Sequence, residues 1–229
     1  MTDQKVIMIR HAQSEWNAKG LFTGWADPVL TPQGRKEAAE AASNLAKLGL
    51  KFDRIYTSVL QRATETASII AKGLNCQVPL TKSWQLNERH YGVLQGKSKE
   101  ALAKQVGAEQ VWRWRRGFED MPPPMPLANP MHARFDTKYD GLEPTSLPSV
   151  ESLKHTQIRA VNYWQKEVLP SIRNNRSVLV AAHGNTLRAL IMYLTNMSVQ
   201  EVEGFEIPTG IPIELNINKH GRCSSWRYV

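Results

Sequence analysis

Ser177-Val178-Leu179-Val180-Ala181-Ala182-His183-Gly184-Asn185-Thr186-Leu187-Arg188 begins as an unbroken apolar and small-residue run and then turns polar. Continuous rather than alternating hydrophobicity marks a strand covered on both faces, as in a parallel sheet. Thr186 to Leu194 then places Leu187, Leu190, Ile191 and Leu194 on one face of a helix. A buried strand feeding an amphipathic helix is the unit of a layered α/β fold.

Working outward, the same pattern recurs. Val6-Ile7-Met8-Ile9 reads as a second buried strand, and it runs into Arg10-His11. Thr31-Pro32 reads as an N-cap followed by proline at the first helical position, with Ala38, Ala42, Leu45 and Ala46 as the apolar stripe and Gly49 as the stop. Phe52 to Tyr56 reads as a short strand. Ser58 to Gln61 reads as a capping box opening a helix, whose stripe is Leu60, Ala63, Ala67, Ile70 and Leu74. Val150 to Leu169 reads as a helix ended by Pro170, and Ile213 to Ile217 as a sheet-edge or late strand. Strands alternating with helices predict an α/β fold with a mostly parallel sheet. Pro122 to Pro148 holds seven of the thirteen prolines, so it is neither helix nor central strand. It reads as a lid or insertion at about residues 121–149 of a single domain covering 1–229.

Composition narrows the function. The 229 residues are 41% hydrophobic and 22% charged, an ordinary globular balance that excludes collagen and disordered chains. No apolar run is long enough for a membrane helix, and the N-terminus lacks the layout of a signal peptide. A cytoplasmic protein with no membrane partner is expected. Cys76 and Cys223 form no disulfide framework. The net charge of +8 calls for an anionic partner: nucleic acid, an acidic membrane, or small phosphorylated or carboxylated molecules.

In open α/β sheets ligands bind beyond the carboxyl ends of strands. If the two buried strands are central and parallel, His11 and His183 meet at that edge. Arg62 stands in the first turn of its helix, against the helix dipole. It is read equally as an anion ligand and as a solvated arginine. Arg188 has the same placement and is read as solvated. Asn87-Glu88-Arg89-His90-Tyr91-Gly92 gathers a carboxylate, a cation, an imidazole and a phenol. Trp112-Arg113-Trp114-Arg115-Arg116 suits either stacking on nucleic acid or a helix whose arginines face a small anion. A neutral imidazole nucleophile, an arginine cage and a carboxyl acid/base are the parts of phosphoryl transfer to histidine, and no metal is needed.

Arg10-His11-Ala12-Gln13-Ser14-Glu15-Trp16-Asn17 resembles the signature of the histidine phosphatase superfamily. Phe22-Thr23-Gly24-Trp25, Tyr56-Thr57-Ser58-Val59-Leu60 with Arg62, Leu86 to Gly92, Trp114-Arg115-Arg116, Ala182 to Arg188 and Pro208-Thr209-Gly210 resemble the cofactor-dependent phosphoglycerate mutases. The resemblance implies a three-layer α/β/α sandwich. It implies interconversion of 3-phosphoglycerate and 2-phosphoglycerate by an enzyme primed with 2,3-bisphosphoglycerate. His11 would be the nucleophile, with Arg10 and Arg62 on the phosphate, Glu88 the acid/base and His183 the transition-state donor. Ser14, Asn17, Thr23, Gly24, Arg89, His90, Tyr91, Lys99, Arg115, Arg116, Gly184 and Asn185 would bind substrate. The partners would be small-molecule phosphoglycerates rather than nucleic acid, and a homo-oligomer, dimer or tetramer, is expected.

Two alternatives remain open: a phosphatase of the same superfamily acting on phosphorylated metabolites, and a basic nucleic-acid binder using Trp112 to Arg116. Two departures from the pattern matter. Ala12-Gln13 stands where the family has Gly-Glu, so that turn must accept a Cβ. The sequence stops at Arg227-Tyr228-Val229 where many members carry a closing tail, so greater leakage of phosphate to water is expected.

Overall fold

The computed structural model describes residues 3–229. β1 (Gln4–Arg10) leads through a short helix, α1 (Glu15–Ala18), to α2 (Pro32–Lys47). β2 (Arg54–Thr57), α3 (Gln61–Gly73) and β3 (Leu80–Lys82) follow, then α4 (Lys99–Val106) and α5 (Ala108–Arg116). Beyond the proline-rich segment come α6 (Leu153–Tyr163), α7 (Leu169–Arg173), β4 (Val178–Ala182) and α8 (Gly184–Thr195). A short α9 (Val199–Gly204), β5 (Pro212–Ile217) and β6 (Cys223–Tyr228) complete the described chain.

The six strands form one sheet in the order β3-β2-β4-β1-β5-β6. The first four are parallel, and β5 alone runs against them, pairing antiparallel with β1 on one side and β6 on the other. The period of two within each central strand builds the layers. Val6, Met8, Val178 and Val180 point to one face, where they pack with Trp164, Val168, Leu187, Leu190 and Ile191. Ile7, Ile9, Leu179 and Ala181 point to the other, against Ala41, Leu45, Ala67 and Ile70 of α2 and α3. These side chains are almost fully buried, and each valine, leucine, isoleucine and methionine among them contributes roughly 1.5–3 kcal/mol of transfer free energy. The result is a three-layer α/β/α sandwich. Among the described residues no helix is long and apolar enough to cross a membrane.

Several local expectations are revised. Pro170 does not end its helix. A π turn over Trp164–Val168 precedes it, and α7 continues from Leu169. The wider turn relieves the clash that a proline ring makes with the carbonyl four residues back. The α3 helix has Leu60 rather than Ser58 as its N-cap residue, with no side-chain cap. β5 is not an edge: β6, unforeseen in the sequence, covers it and leaves itself and β3 as the edges.

The proline-rich segment is folded. It holds three single 3-10 turns at Ala133–Phe135, Thr137–Tyr139 and Pro144–Ser146. Ala133, Tyr139 and Leu147 bury against Trp25, with Val59 and Trp84 alongside. Tyr139 Oη accepts from Asn87 Nδ2 at 2.9 Å, which ties the segment to the back of the 87–91 block.

Candidate active site

β1 and β4 are neighbours in register, with Arg10 opposite Ala182, and the His11 amide donates to Ala182 O at 2.8 Å. The two strands therefore end level at the carboxyl edge of the sheet. His11 and His183 face each other there, with ring centroids 5.0 Å apart and planes inclined by 61°.

His11 is buried, and its Nδ1 lies 2.8 Å from Ala12 O. A carbonyl only accepts, so Nδ1 carries the proton and Nε2 presents its lone pair. Arg62 Nε donates to Nε2 at 3.3 Å. Burial, then the charges of Arg62 and Arg10, hold the His11 pKa well below its ordinary range, so the ring is neutral at pH 7. Ala12 does not have a positive φ, and its Cβ packs with Leu30 and Ala38. The turn thus tolerates alanine where the family pattern has glycine.

Arg62 is fully buried, which favours the ligand reading over the solvated one. Its NH1 and NH2 donate to Ala26 O and Gly24 O, both at 2.8 Å, leaving Nε to face His11. Gly24 has a φ of +56°, and a Cβ there would collide with the Gln95 side-chain oxygen. Arg10 NH1 donates to Ile207 O at 2.8 Å, while its buried Nε has no partner. A Cβ on Gly184 would come 3.3 Å from that Nε, so glycine keeps the approach open. His183 Nε2 lies 2.7 Å from Ser58 Oγ, and its buried Nδ1 has no partner. Ser58 therefore orients an imidazole instead of capping a helix. Burial and then Arg62 hold the His183 pKa well below its ordinary range.

The pocket in front of His11 is lined by Arg10, Arg62, Lys99, Arg115, Arg116 and Arg188, against only two carboxylates, Glu88 and Glu206. Asn17, Thr23, Gly24, Tyr91, Gly184 and Asn185 complete much of the wall. Glu88 Oε1 accepts from the backbone amides of Arg89 at 2.8 Å and Asn185 at 3.1 Å. Tyr91 Oη accepts from Asn185 Nδ2 at 3.0 Å. Lys99 lies over the Phe22 ring at 5.9 Å, and burial followed by Arg115 and Arg10 pushes its pKa down to about 8. Arg116 pairs with Glu206, whereas Arg115 has no ion-pair partner among the described residues.

Three residues expected to bind substrate do not line this pocket. Ser14 is buried as the N-cap of α1, in a capping box with Asn17. The Arg89 guanidinium donates to Glu151 O at 2.9 Å, Gly117 O at 3.3 Å and Asp120 O. His90 is buried behind the block, its Nδ1 accepting from the Gly92 amide at 3.0 Å. Conversely Arg188, read as solvated, is buried. It donates to Asn185 Oδ1 at 2.9 Å and to Val202 O, and burial lowers its pKa to about 10. Its early place in a helix that starts at the sheet's carboxyl edge was the available signal.

A buried histidine held by its Nδ1, with a second histidine opposite, in an arginine-walled pocket at the sheet edge, fits a class of phosphoryl-transfer protein. The chain belongs to the histidine phosphatase superfamily, whose branch 1 model matches residues 6–146 and 127–227. Within it the chain falls in the phosphoglycerate mutase family. It is 46% identical to the 2,3-bisphosphoglycerate-dependent phosphoglycerate mutase of Hamiltonella defensa, over 95% of this chain and 88% of that one. It is 44% identical to the enzyme of the same name from Nitrosococcus oceani, over 98% and 94%.

Among solved structures, the alpha-ribazole phosphatase from Shigella flexneri superposes with a TM-score of 0.71 at 22% identity, over 98% and 95% of the two chains. A mycobacterial glucosyl-3-phosphoglycerate phosphatase gives 0.71 at 22%, over 99% and 97%. At that identity the two structures speak to the fold alone.

Proposed function

We propose that this protein interconverts 3-phosphoglycerate and 2-phosphoglycerate through a phosphohistidine at His11. The observation that carries the reading is the His11 ring: Nδ1 is held by Ala12 O, and the Nε2 lone pair faces a pocket walled by cations. The donor set fits a polyanion, because six cationic side chains line the pocket, among them Arg10 with its unpartnered Nε. 2,3-Bisphosphoglycerate, when bound, supplies the phosphoryl group that charges His11.

In the charging step Nε2 forms the N–P bond as the donor's P–O bond breaks. Glu88, as the acid, gives its proton to the departing oxygen. In the return step the Glu88 carboxylate takes the proton of the accepting hydroxyl as the N–P bond breaks. Arg10, Arg62 and His183 surround the phosphoryl oxygens, and their preorganised charge and dipoles stabilise the transfer. Lys99, Arg115, Arg116 and Arg188 hold the remaining anionic groups. Phe22 and Tyr91, packed edge to face at 4.9 Å, back that wall. The same reading makes residues 1–229 one mutase-like domain acting in the cytoplasm as a homo-oligomer.

The test is an incubation with 3-phosphoglycerate, with and without catalytic 2,3-bisphosphoglycerate, measuring 2-phosphoglycerate and inorganic phosphate together. We expect stimulated 2-phosphoglycerate formation that His11→Ala abolishes. Phosphate release without isomerisation would move the protein to the phosphatases.

A further inference from the structure

Arg159 lies on the buried stripe of α6, in step with Thr156, Ala160 and Tyr163. All five of its N–H donors are engaged. Nε and NH2 donate to the two carboxylate oxygens of Glu151 at 2.6 and 2.8 Å. NH1 donates to Gln85 O at 2.8 Å and Asn87 O at 2.9 Å, and NH2 also donates to Glu88 O at 2.9 Å. Glu151 completes the grip: its Oε2 accepts from the His90 amide, and its own amide donates to His90 O, both at 2.9 Å. One ion pair, 8% and 3% exposed, thus holds the backbone from residue 85 to residue 90. Neither partner lines the pocket.

The central peptide matters most. Glu88 O and the Arg89 amide belong to one planar unit. Its oxygen end is fixed by Arg159 and by Trp25 Nε1 at 2.6 Å. Its N–H end is one of the two backbone donors that hold the Glu88 carboxylate. A rotation of that plane would carry the carboxylate with it. Burying an ion pair does not by itself stabilise a fold, since apolar replacements are often neutral or better. What this pair provides is a fixed fork matched to three carbonyls, which a lysine cannot reproduce. We infer that Arg159, oriented by Glu151, is a positioning residue that sets where the Glu88 carboxyl stands. This rests on the reading of Glu88 as the acid/base.

Proton delivery is needed only when the leaving oxygen is a poor one. Charging of His11 by 2,3-bisphosphoglycerate expels an alkoxide that must be protonated. Charging by p-nitrophenyl phosphate expels a phenolate that leaves without protonation. The experiment compares both rates in wild type, Arg159→Lys, Glu151→Gln and Glu88→Gln. For Arg159→Lys we expect the bisphosphoglycerate rate to fall about 100-fold, with KM within about 3-fold. The p-nitrophenyl phosphate rate should fall at least about tenfold less. Glu151→Gln should show the same selectivity more weakly, and it stands in if the lysine variant does not fold. Equal losses on both donors, or no loss, with Glu88→Gln still selective would overturn the positioning role. A Glu88→Gln variant that is itself unselective would overturn the acid/base reading, and this inference with it.

Discussion

Lowering the pH from 7.5 to 5.5 should destabilise this protein chiefly through His11, His90 and His183, three of its four buried histidines; burial lowers the fourth, His132, in the same direction. His11 and His183 are held well below the usual imidazole range, by burial first and then by Arg62. Burial puts His90 at about 4, outweighing the opposing pull of Glu151. The folded state therefore keeps all three neutral across this window, while the unfolded chain protonates them with pKa near 6.5. The unfolded state then binds more protons, so stability is complete above pH 6.5 and falls as the pH drops below it. At pH 5.5, one unit below the unfolded pKa, each ring costs about 1.4 kcal/mol and the three together about 4 kcal/mol. Glu151, which burial raises but Arg159 lowers overall, loses its contribution only as the pH falls below the ordinary carboxylate range and adds little in this window. A loss of about 4 kcal/mol is a large share of a typical 5–15 kcal/mol stability. Urea unfolding at the two pH values is the assay. With a slope of about 2.5 kcal/mol per molar, the midpoint should fall by roughly 1.6 M. His90→Gln should shrink the pH difference by about a third, whatever it does to the baseline. A total loss below about 1 kcal/mol would refute the view that these rings stay neutral in the fold.

Ser58→Ala removes the hydroxyl 2.7 Å from His183 Nε2 and leaves a buried imidazole with no partner at either nitrogen. We expect about 1–3 kcal/mol less stability and a clear fall in kcat at little change in KM; unchanged turnover would show that Ser58 does not orient His183. Arg89→Met strips hydrogen bonds from three backbone carbonyls around Glu151, Gly117 and Asp120. It should lower stability by about 2–5 kcal/mol and move KM for 3-phosphoglycerate by less than about 3-fold, whereas a large KM increase at unchanged stability would restore Arg89 to the substrate site.

The central architecture was legible because β1 and β4 are covered on both faces, and a strand buried twice has nowhere to hide a polar residue. The edges were not. β3 and β6 carry mostly partly or fully exposed residues, and Cys-Ser-Ser-Trp-Arg-Tyr offers neither an apolar run nor clean alternation. The histidine pair was visible in sequence as two strands ending in the same residue type. Buried charged residues, in the pocket wall and behind it, were harder. Arg188 and Arg159 look like ordinary helical surface arginines until the carbonyls that receive them are placed. For Arg159 a trace existed, a cation falling on the apolar stripe of its helix. Arg89 failed in the opposite sense. Its chemistry suited a phosphate, but its side chain turns toward the loop after α5, a direction that no local pattern encodes.

The position of β1 has a consequence for how the molecule is made. Residues 6–10 pair with residues 178–182, and on the other side residues 4–9 pair with 212–217. A chain emerging from the ribosome presents β1 before its two neighbours, which arrive only with residues 178–182 and 212–217. At 5–20 residues per second, Val6-Ile7-Met8-Ile9 waits roughly 10–40 s as an unpaired apolar segment. Helices α2 and α3 can pair meanwhile, but the pocket around His11 cannot form, because the strand that carries His183 to it has not yet been made. A nascent chain that ends before β4 therefore lacks the His11–His183 pair, and the waiting strand is the stretch a chaperone would shield.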